Sequence, residues 1–525
     1  MRGESLLITI IAAVGALLTS DSRASGDVVA LAPLAISDAA AFDVAAGSIS
    51  MDGANLAMGV RGRDDGGTNR GGVYLFKSVA TGWSQFQKVT PASSVSREEF
   101  GDAVELSGDW LSVGARKSDR DGLNSGSAWI FQSNGVNFVE MARIPSPTPA
   151  VNGAFGCAIA LDPTARETLV VGAQRELVDG VAAGVVHVFE RAENGLWSAA
   201  VRLTASGVPT ENDEFGHVVA IDGGRIAIGM PGDDERAVNA GSVHVFVRVK
   251  GVWAFETKIV APSAQLLAEF GSSLSLSENR LAIGSCREDS TIADAGRVHL
   301  YARNEDGWML EQSIDSPTPA IGGEFGCSVS LDDDALLIGA DRELSGGIPI
   351  GKSHFFRRSS SASWLAVATI RSTQPQSDEF GGATVALSQG KIVMGVPLRT
   401  ATQPFQGMAF ATDLSSDCDG NLIPDLAELA AGAADCDGNQ IPDSCDIAAG
   451  ATDEDNNGVP DLCEIVPCIA DIIETGSVDG LDLAALLSTW GTNGGSFPRA
   501  DVNQDGIVDA SDLAVVLGGW GPCPN

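Results

Sequence analysis

The stretch that decides the fold reads FGHVVAIDGGRIAIGMPGDDERAVNAGSVHVF, from Phe215 to Phe246. Apolar residues alternate up to Ile221, a Gly223-Gly224 turn follows, and a second alternating run leads into an acidic loop. Gly241 opens a third run, and the segment from Trp253 to Val260 supplies a fourth. Alternation with a period of two predicts strands that each bury one face, separated by glycine-containing turns. The stretch therefore predicts a unit of four short strands.

The same unit recurs along the chain about every 55 to 60 residues. Its first mark is a Phe-Gly pair, at Phe100-Gly101, Phe155-Gly156, Phe215-Gly216, Phe270-Gly271, Phe325-Gly326 and Phe380-Gly381, with Phe42-Asp43 as a weaker first copy. Its second mark is a glycine in the second strand, at Gly59, Gly114, Gly172, Gly229, Gly284, Gly339 and Gly395. Its third mark is a glycine that opens the third strand, at Gly72, Gly126, Gly184, Gly241, Gly296, Gly351 and Gly407. Seven such copies predict a mainly β fold, a seven-bladed β-propeller rather than a solenoid.

These residues resemble FG-GAP repeats, the blades of the integrin α-chain propeller. The resemblance covers about 380 residues and rests on seven copies that agree with one another. It implies an interaction platform for cell adhesion, whose loops bind a protein or glycan ligand. Integrin-type blades often carry an Asp-x-Asp-x-Asp-Gly calcium loop, but the matching loops here, at 63–66, 119–122 and 232–235, do not fit that pattern. Calcium is therefore not expected in the propeller.

Closure of the ring can be inferred from a missing strand. The seventh copy ends at Phe410 without a fourth strand. The segment from Val28 to Pro33, ahead of the first copy, is similar to Lys258 to Pro262 at the end of a fourth strand. We expect this N-terminal segment to supply the outer strand of the seventh blade, which removes an exposed sheet edge. The predicted propeller spans residues 25–413.

Residues 1–24 have the features of a secretory signal peptide. Arg2 precedes an apolar run from Leu6 to Leu18, and Ser22-Arg23-Ala24 offers a small-x-small cleavage site. The run is too short to span a bilayer comfortably, and no later stretch is long and apolar enough, so no membrane span is expected. The mature protein is predicted to be secreted or held at the cell surface or envelope.

Acidic residues are concentrated towards the C-terminal end. The chain has a net charge of −36, and from Asp413 onward it holds 22 of its 69 acidic residues and a single basic one, Arg499. Such a charge density repels itself unless cations neutralise it. It also argues against nucleic acid as a partner, because nucleic-acid binding requires a basic surface. A disordered acidic tail is the alternative, but the regular spacing of the acids favours cation binding.

Three acidic segments within residues 414–466 share one pattern of oxygen-bearing side chains. These side chains occupy positions 1, 3, 5, 9 and 12 of each segment, and a carbonyl at position 7 would complete the oxygen set that Ca²⁺ requires. The predicted ligands are Asp417, Asp419, Asn421, Asp425, Glu428, Asp435, Asp437, Asn439, Asp443, Asp446, Asp453, Asp455, Asn457, Asp461 and Glu464. The segments resemble thrombospondin type 3 calcium repeats, which implies a calcium-bound stalk. A linker without metal is the alternative.

Four cysteines occur at fixed positions in these repeats. They stand at position 2 of the first two repeats and at position 11 of the last two. If position 2 of each repeat bonds position 11 of the next, Cys418 pairs with Cys445 and Cys436 pairs with Cys463, and none of the four is left over. Other pairings remain compatible with the sequence. Such disulfides would fit an oxidising compartment.

The last segment, residues 467–525, contains a complete calcium loop. Its predicted ligands are the side chains of Asp501, Asn503, Asp505 and Asp512, the carbonyl of Ile507, and Asp509 through a water molecule. A similar unit lies thirty residues earlier, but Ile473 and Thr475 replace its ligands at positions 3 and 5, so it is expected to bind calcium poorly or not at all.

This calcium loop, with a single helix after it, resembles a dockerin module. The two copies together form a dockerin-like EF-hand pair. Cys468 and Cys523 lie on either side of this pair and are expected to bond to each other. The resemblance implies docking to a cohesin-like partner. A self-contained cap stiffened by calcium is the alternative.

Two sets of polar residues in the predicted propeller repeat from blade to blade. They are His187, His244, His299 and His354, and Glu99, Glu214, Glu269, Glu324 and Glu379. Because equivalent positions in different blades are spread around the ring, we expect packing and hydrogen bonding from the histidines rather than a metal site. The glutamates are expected to have a structural role, such as accepting hydrogen bonds from loop N–H groups. Cys157, Cys286 and Cys327 leave an odd number, and free thiols are expected.

The sequence thus predicts an exported, non-enzymatic, calcium-binding recognition or adhesion protein with no catalytic residues. Its propeller would be the interaction platform and its tail the docking module. The alternatives are a secreted hydrolase with its active site in propeller loops, and a structural component of the cell envelope. The absence of a Ser-His-Asp order, a His-Glu-x-x-His motif and a phosphate-binding glycine loop favours binding over catalysis.

Overall fold

A computed structural model describes residues 28–65, 67–79, 82–93, 95–164, 167–198, 200–359, 361–372, 375–414, 417–418, 425–430, 433–438, 441–453, 458–463 and 468–522. The predicted signal peptide, residues 1–24, lies outside these ranges. The chain divides into two compact units, residues 1–415 and 416–525. Within the described ranges, the helices are all too short or too polar to cross a membrane.

Seven antiparallel sheets make up the first unit, and each contains four strands that are neighbours in the sheet. Blade one contains Ala45–Asp52, Asn55–Val60, Gly72–Val79 and Gly82–Val89, and blade two contains Ala103–Ser107, Trp110–Ala115, Ser127–Ser133 and Phe138–Pro145. Blade three contains Phe155–Asp162, Thr168–Ala173, Val185–Glu190 and Val201–Leu203, and blade four contains Val219–Asp222, Arg225–Met230, Ser242–Val249 and Val252–Val260. Blade five contains Phe270–Ser277, Arg280–Ser285, Arg297–Asn304 and Gly307–Asp315, and blade six contains Phe325–Asp332, Ala335–Ala340, Lys352–Arg358 and Trp364–Arg371. Blade seven contains Thr384–Ser388, Lys391–Val396, Met408–Asp413 and Ala32–Leu34.

Two short hairpins extend the loops after the second strands of blades three and six. They are Leu177–Val178 with Val181–Ala182, and Leu344–Ser345 with Ile348–Pro349. The fold is therefore the predicted seven-bladed β-propeller.

The outer strand of blade seven comes from the N-terminal part of the chain, as predicted. Ala32–Leu34 pairs antiparallel with Met408–Asp413. Immediately before it, Val28–Ala30 pairs in parallel with Trp364–Arg371, so blade six gains a fifth strand. The N-terminal segment thus joins two blades, whereas the sequence predicted a contact with the seventh alone.

The repeated glycines lie where adjacent blades touch. Gly241, at the start of a third strand, forms a parallel bridge with Phe270 of the next blade. A Cβ atom on Gly241 would lie 2.1 Å from the carbonyl oxygen of Phe270. A Cβ on the second-strand Gly229 would lie 2.2 Å from the carbonyl oxygen of Gly271. A side chain at either glycine would push the blades apart. The three sequence marks of each repeat, namely the Phe-Gly pair and the glycines of the second and third strands, thus belong to one contact between neighbouring blades.

Blade one differs from the predicted register at two positions. Ala45, not Phe42, makes the bridge to the preceding blade, where it meets Gly407. Phe42 is 60% exposed, so the prediction that Phe42-Asp43 is a weak Phe-Gly copy is wrong. The glycine that bridges to blade two is Gly71 rather than the predicted Gly72. The bridge is made by backbone atoms that face the glycine, so alanine at position 45 can make it where other blades have phenylalanine.

The second unit is built from short helices and loops. Its α-helices are Asp425–Ala430, Asp443–Ala449, Gly480–Ser488 and Ala510–Gly518, and its 3₁₀ helices are Asp461–Cys463 and Pro498–Ala500. Ser477–Val478 pairs antiparallel with Gly521–Pro522. A small apolar core that includes Leu486, Val508 and Val516 joins the last two α-helices.

Candidate functional site

Three blades bury a carboxylate against a histidine. The pairs, measured from carboxylate oxygen to imidazole Nε2, are Glu176 with His187 at 2.7 Å, Glu288 with His299 at 2.7 Å, and Glu343 with His354 at 2.9 Å. Each acid lies in the loop after the second strand, and each histidine lies on the third strand of the same blade. The histidines therefore serve one blade each, in agreement with the expectation of hydrogen bonding rather than a shared metal.

The pair in blade six has the most complete set of partners. The side chains of Glu343 and His354 are both 0% exposed. Glu343 also accepts a hydrogen bond from Thr318 at 2.8 Å, another from Ser316, and lies 3.5 Å from the ammonium group of Lys352. Such a buried charge is tolerated only because several donors surround it.

The pKa values of Glu176, Glu288 and Glu343 all lie below the usual carboxyl value. Burial alone would raise each pKa, but the hydrogen bond and charge of the histidine, with the hydroxyl donors, outweigh it. A folded-state pKa below the unfolded value contributes stability that is complete above about pH 4.5 and is lost as the pH falls further. These carboxylates should therefore make the propeller sensitive to acid.

Substituting Glu343→Gln tests this pH dependence. We expect the variant to be about 2 kcal/mol less stable at pH 7, since it loses a charge-assisted hydrogen bond. Because the variant carboxamide cannot titrate, the difference in unfolding free energy should shrink as the pH falls below 4.5, the ordinary carboxyl pKa. Urea unfolding at a series of pH values measures it, with the exposed Glu305→Gln as the control. A difference that stays constant with pH would contradict the assignment.

Other blades fill the same region with a guanidinium group. The pairs are Arg63 with Asp43 at 3.0 Å, Arg120 with Glu98 at 2.5 Å, and Arg399 with Glu379 at 2.5 Å. All three acids are buried. In blade four, Asp233 lies 2.6 Å from Lys258 instead, and burial, with the nearby Lys258 charge, lowers the pKa of His244 to about 4. Each blade thus buries one carboxylate against a basic side chain: arginine in blades one, two and seven, histidine in blades three, five and six, and lysine in blade four.

The glutamates that precede Phe-Gly form two groups instead of one. Glu99, Glu214, Glu269 and Glu324 pair with basic side chains, namely Lys117 at 2.7 Å, His217 at 3.1 Å, Arg287 at 3.2 Å and Arg342 at 3.6 Å. In blade seven, Gly381 rather than Phe380 makes the bridge to the preceding blade. Glu379 therefore stands one repeat position earlier than the other four glutamates. The role is structural as predicted, but the partners are cations rather than loop N–H groups.

The inner strands of the blades enclose an axial cavity of about 260 Å³. Glu105 is the one charged residue among those that line it. Its carboxylate lies 3.3 Å from the hydroxyl of Ser50, and burial raises its pKa to about 8. In the other blades the same register holds serine or alanine, as at Ser275 and Ala160. Sequence reasoning missed this carboxylate, although a single acid at a repeated Ser/Ala position was a visible signal.

The three propeller cysteines are free thiols, as expected. Cys157 and Cys327 donate long hydrogen bonds to the carbonyls of Gly216 and Gly382 in the next blades. Burial raises the pKa of Cys157 and of Cys286 to about 12, so both remain protonated and unreactive near neutral pH.

In the second unit, the structure contains the disulfides Cys418–Cys445 and Cys436–Cys463. These are the pairings obtained by joining position 2 of one repeat to position 11 of the next. Cys468 is also disulfide-bonded, and its predicted partner, Cys523, lies outside the described residues. The sulfurs near Asp425 and Asp443 are held in disulfides, so they are not available as thiolate ligands.

The predicted calcium repeats are described in part. Asp419, Asn421, Asn439, Asp455, Asn457 and Glu464 lie outside the described residues, whereas Asp417, Asp425, Glu428, Asp435, Asp437, Asp443, Asp446, Asp453 and Asp461 lie within them. Asp425 and Asp443, at position 9, are buried at the first residue of a helix, and their carboxylates accept hydrogen bonds from the N–H groups of Cys418 and Cys436. Each loop is thereby folded back on the helix that follows it.

The two dockerin-like loops share one backbone frame. Asp512 accepts hydrogen bonds from the N–H groups of Asn503 and Asp509, at 3.0 and 2.9 Å. Asp482 accepts the equivalent pair in the earlier loop. Both aspartates are 0% exposed and lie in the first turn of a helix capped by the preceding aspartate of the loop. Position 12 is therefore preorganised in both loops.

The loops differ at their first ligand. Both oxygens of Asp471 accept backbone hydrogen bonds, from Thr475 at 2.9 Å and Gly476 at 2.7 Å. In the second loop, Asp501 accepts one from Gly506 at 2.9 Å, while no described residue gives a hydrogen bond to its buried Oδ1. An unsatisfied buried carboxylate oxygen among other oxygen donors fits a Ca²⁺ ion, which prefers hard oxygen ligands. The donor set is thus compatible with calcium in the second loop.

The comparisons with known proteins concern the propeller. The FG-GAP repeat family model matches residues 83–131, 197–246 and 253–301. The chain contains FG-GAP repeats. Each matched segment starts in or just before the outer strand of one blade and ends in the third strand of the next, so the repeat in sequence is offset by one strand from the blade in space.

Among solved structures, the chain is similar to the crystal structure of Saccharomyces cerevisiae Sqt1, with 11% identity, 74% of this chain and 99% of that chain covered, and a TM-score of 0.40. No curated protein is similar enough in sequence to count as a relative.

Proposed function

We propose that the chain is an exported, non-enzymatic recognition protein whose FG-GAP propeller is the interaction platform and whose C-terminal unit binds calcium. The observation that carries the calcium part is the buried, unpartnered Oδ1 of Asp501 in the second dockerin-like loop. Asn503, Asp505 and Asp512 stand at the other ligand positions of that loop, and calcium would hold them together by neutralising their charge. Calcium binding would thereby stabilise the folded C-terminal unit.

Thermal unfolding of the mature chain with calcium and with a chelator tests the calcium part. We expect the chelator to lower the melting temperature of the C-terminal unit and to leave the propeller transition in place. Asp501→Asn should weaken calcium binding by about tenfold or more, since it removes a charged ligand. Asp471→Asn, at the same position of the earlier loop, is the matched control and should leave the affinity unchanged. Two transitions that ignore the chelator would refute the calcium assignment.

The C-terminal unit also supports a docking role. Leu487 lies in the last turn of the first dockerin-like helix and Trp490 just after it, and Leu517 and Trp520 occupy the same positions at the second helix. All four side chains are 45 to 54% exposed. A duplicated apolar pair of this kind suits a cohesin-like partner that binds either copy. The alternative is a self-contained cap. It predicts that the Trp490→Ala and Trp520→Ala variants recover the same binding partners from the producing cells as the wild-type chain.

The rival enzymatic function has one observation in its favour. In blade six, burial of Asp341, with the nearby Glu324 charge, raises the pKa of Asp341 to about 7. Glu324 also pairs with Arg342 at 3.6 Å, so an ion-pair network of the blade accounts for these two carboxyl groups without an active site. We therefore retain binding as the function, and a screen of glycosidase and phosphodiesterase substrates would detect a hydrolase.

A further inference from the structure

A pocket of about 290 Å³ opens between blades two and three of the propeller. Three basic and three amide side chains line it, namely Arg116, Lys117, Arg175, Asn124, Asn152 and Gln174. The amide of Asn124 donates a hydrogen bond to the side-chain oxygen of Asn152 at 2.8 Å, which fixes both side chains at the rim. Behind the lining, Arg116 pairs with Asp102 at 3.1 Å and Lys117 with Glu99 at 2.7 Å. Among the described residues Arg175 has no such ion pair, so it is the lining cation whose charge is left for a ligand.

The charge of this pocket results from one substitution within the repeat. In blade two, Glu99 precedes Phe-Gly and pairs with Lys117 at 2.7 Å. Blade three has Ala154 at that position, in the same left-handed conformation, with φ of 58° against 53° for Glu99. Arg175 therefore has no glutamate at this position of its own blade. Glu214 of the next blade feels the charge of Arg175, but its hydrogen-bond partner is His217.

The equivalent place between blades five and six has carboxylates beside its two cations, Arg287 and Arg342. Glu324 stands where blade three has Ala154, and Asp341 stands where it has Gln174. Arg342, the counterpart of Arg175, lies 3.6 Å from Glu324. One backbone frame thus carries cations neutralised by carboxylates at one place in the ring and a basic, amide-lined pocket at another. The molecule supplies its own control for any effect of the basic pocket.

We propose that this pocket binds the carboxylate or sulfate group of an acidic sugar in a polysaccharide. Guanidinium groups match carboxylate and sulfate geometry with paired N–H donors. Amide side chains both donate and accept, which suits the hydroxyl groups beside such an anion. The volume is close to the lower end of small-ligand sites and fits one sugar ring of a longer chain. The proposal deepens the recognition role of the propeller and rests on it.

Calorimetric titration of the full mature chain with trigalacturonate tests the proposal, with its methyl ester as the neutral probe. A second titration compares dextran sulfate with neutral dextran and tests for the sulfate group. A third uses a poly-glutamate peptide and tests for binding to acidic peptides. We expect binding to the anionic sugars of at least one arm and none to their neutral counterparts. Binding that is equal for the ester and the acid, or restricted to the peptide, would overturn the pocket assignment while leaving a recognition role intact.

Two variants locate the site. Ala154→Glu restores the residue that four other blades carry in this conformation, so it should fold normally and weaken binding by about tenfold or more. Arg175→Gln should weaken it by a similar factor, whereas Arg342→Gln, the counterpart in blade six, should have no effect. Unchanged affinity in both pocket variants, with melting temperatures equal to that of the wild type, would overturn the proposal.

Discussion

Replacing Gly241 with alanine is expected to destabilise the propeller by about 4 kcal/mol or more, a loss reserved for severe changes in packing or backbone. The added Cβ would lie 2.1 Å from the carbonyl oxygen, 2.6 Å from the nitrogen and 2.9 Å from the carbonyl carbon of Phe270. All three are backbone atoms of the next blade, so no side-chain rotation relieves the overlap. The two blades must separate, and the ring closure that joins blade seven to blade one is strained with them.

Gly251→Ala is the matched control for Gly241→Ala. Both glycines have φ of 84°, but in the described part of the chain nothing lies within 4 Å of a Cβ built on Gly251. The control therefore carries the cost of a left-handed alanine alone, about 1 kcal/mol. Urea unfolding of the propeller transition measures both variants. Equal losses would show that backbone conformation, and not the approach of the blades, accounts for the glycine, and would contradict the inter-blade explanation.

The number and type of blades were predictable because the inter-blade contact constrains single residues. A glycine is required where two backbones meet at van der Waals distance, and that requirement recurs at fixed intervals, so it is visible in the sequence. Blade one shows the limit of the rule. Ala45 performs the contact without aromatic character, and Phe42, which matched the pattern, lies exposed three residues earlier.

The buried charges of the propeller were not predictable in the same way. The position of His354 on a third strand was visible, but its partner Glu343 lies in a loop eleven residues away and contacts it only after the second and third strands have paired. Blades one, two and seven meet the same need with arginine, as Arg63 does. The histidines and arginines stand at different positions of the repeat and reach the same region only in the folded blade. The sequence therefore shows no common motif for them.

The C-terminal unit was predictable where covalent and backbone constraints act over short distances. Cys418–Cys445 and Cys436–Cys463 have the same sequence separation of 27 residues, because the repeats that carry them have equal length. The difference between Asp471 and Asp501 at the first ligand position was foreseen from their neighbours only as a difference in calcium affinity. The structure shows how the two side chains differ: backbone N–H groups bond both oxygens of Asp471, whereas among the described residues only one oxygen of Asp501 accepts such a bond.

Arg399→Met is expected to cost about 3 to 5 kcal/mol, because it leaves the carboxylate of Glu379 buried without its counter-charge. The two side chains are 7% and 1% exposed, and Nη1 of Arg399 lies 2.5 Å from Oε2 of Glu379. The guanidinium also lies over the ring of Phe410 at 5.3 Å, a contact that methionine largely replaces through packing. The loss should therefore come from the stranded charge. Urea unfolding of the propeller transition at neutral pH measures it.

Two comparisons separate the stranded charge from lost packing in Arg399→Met. The double variant Glu379→Gln with Arg399→Met should recover most of the loss, since it removes the charge along with its partner. Burial already raises the pKa of Glu379, and without Arg399 the pKa should rise further. A carboxyl group whose pKa is higher in the folded than in the unfolded state destabilises the fold at high pH, where it is ionised. This cost disappears once the pH falls below the pKa of the unfolded state. The single variant should therefore approach wild-type stability as the pH falls towards 4.5. If the double variant is no more stable than the single one and the deficit does not change with pH, the pair contributes through packing and not through charge.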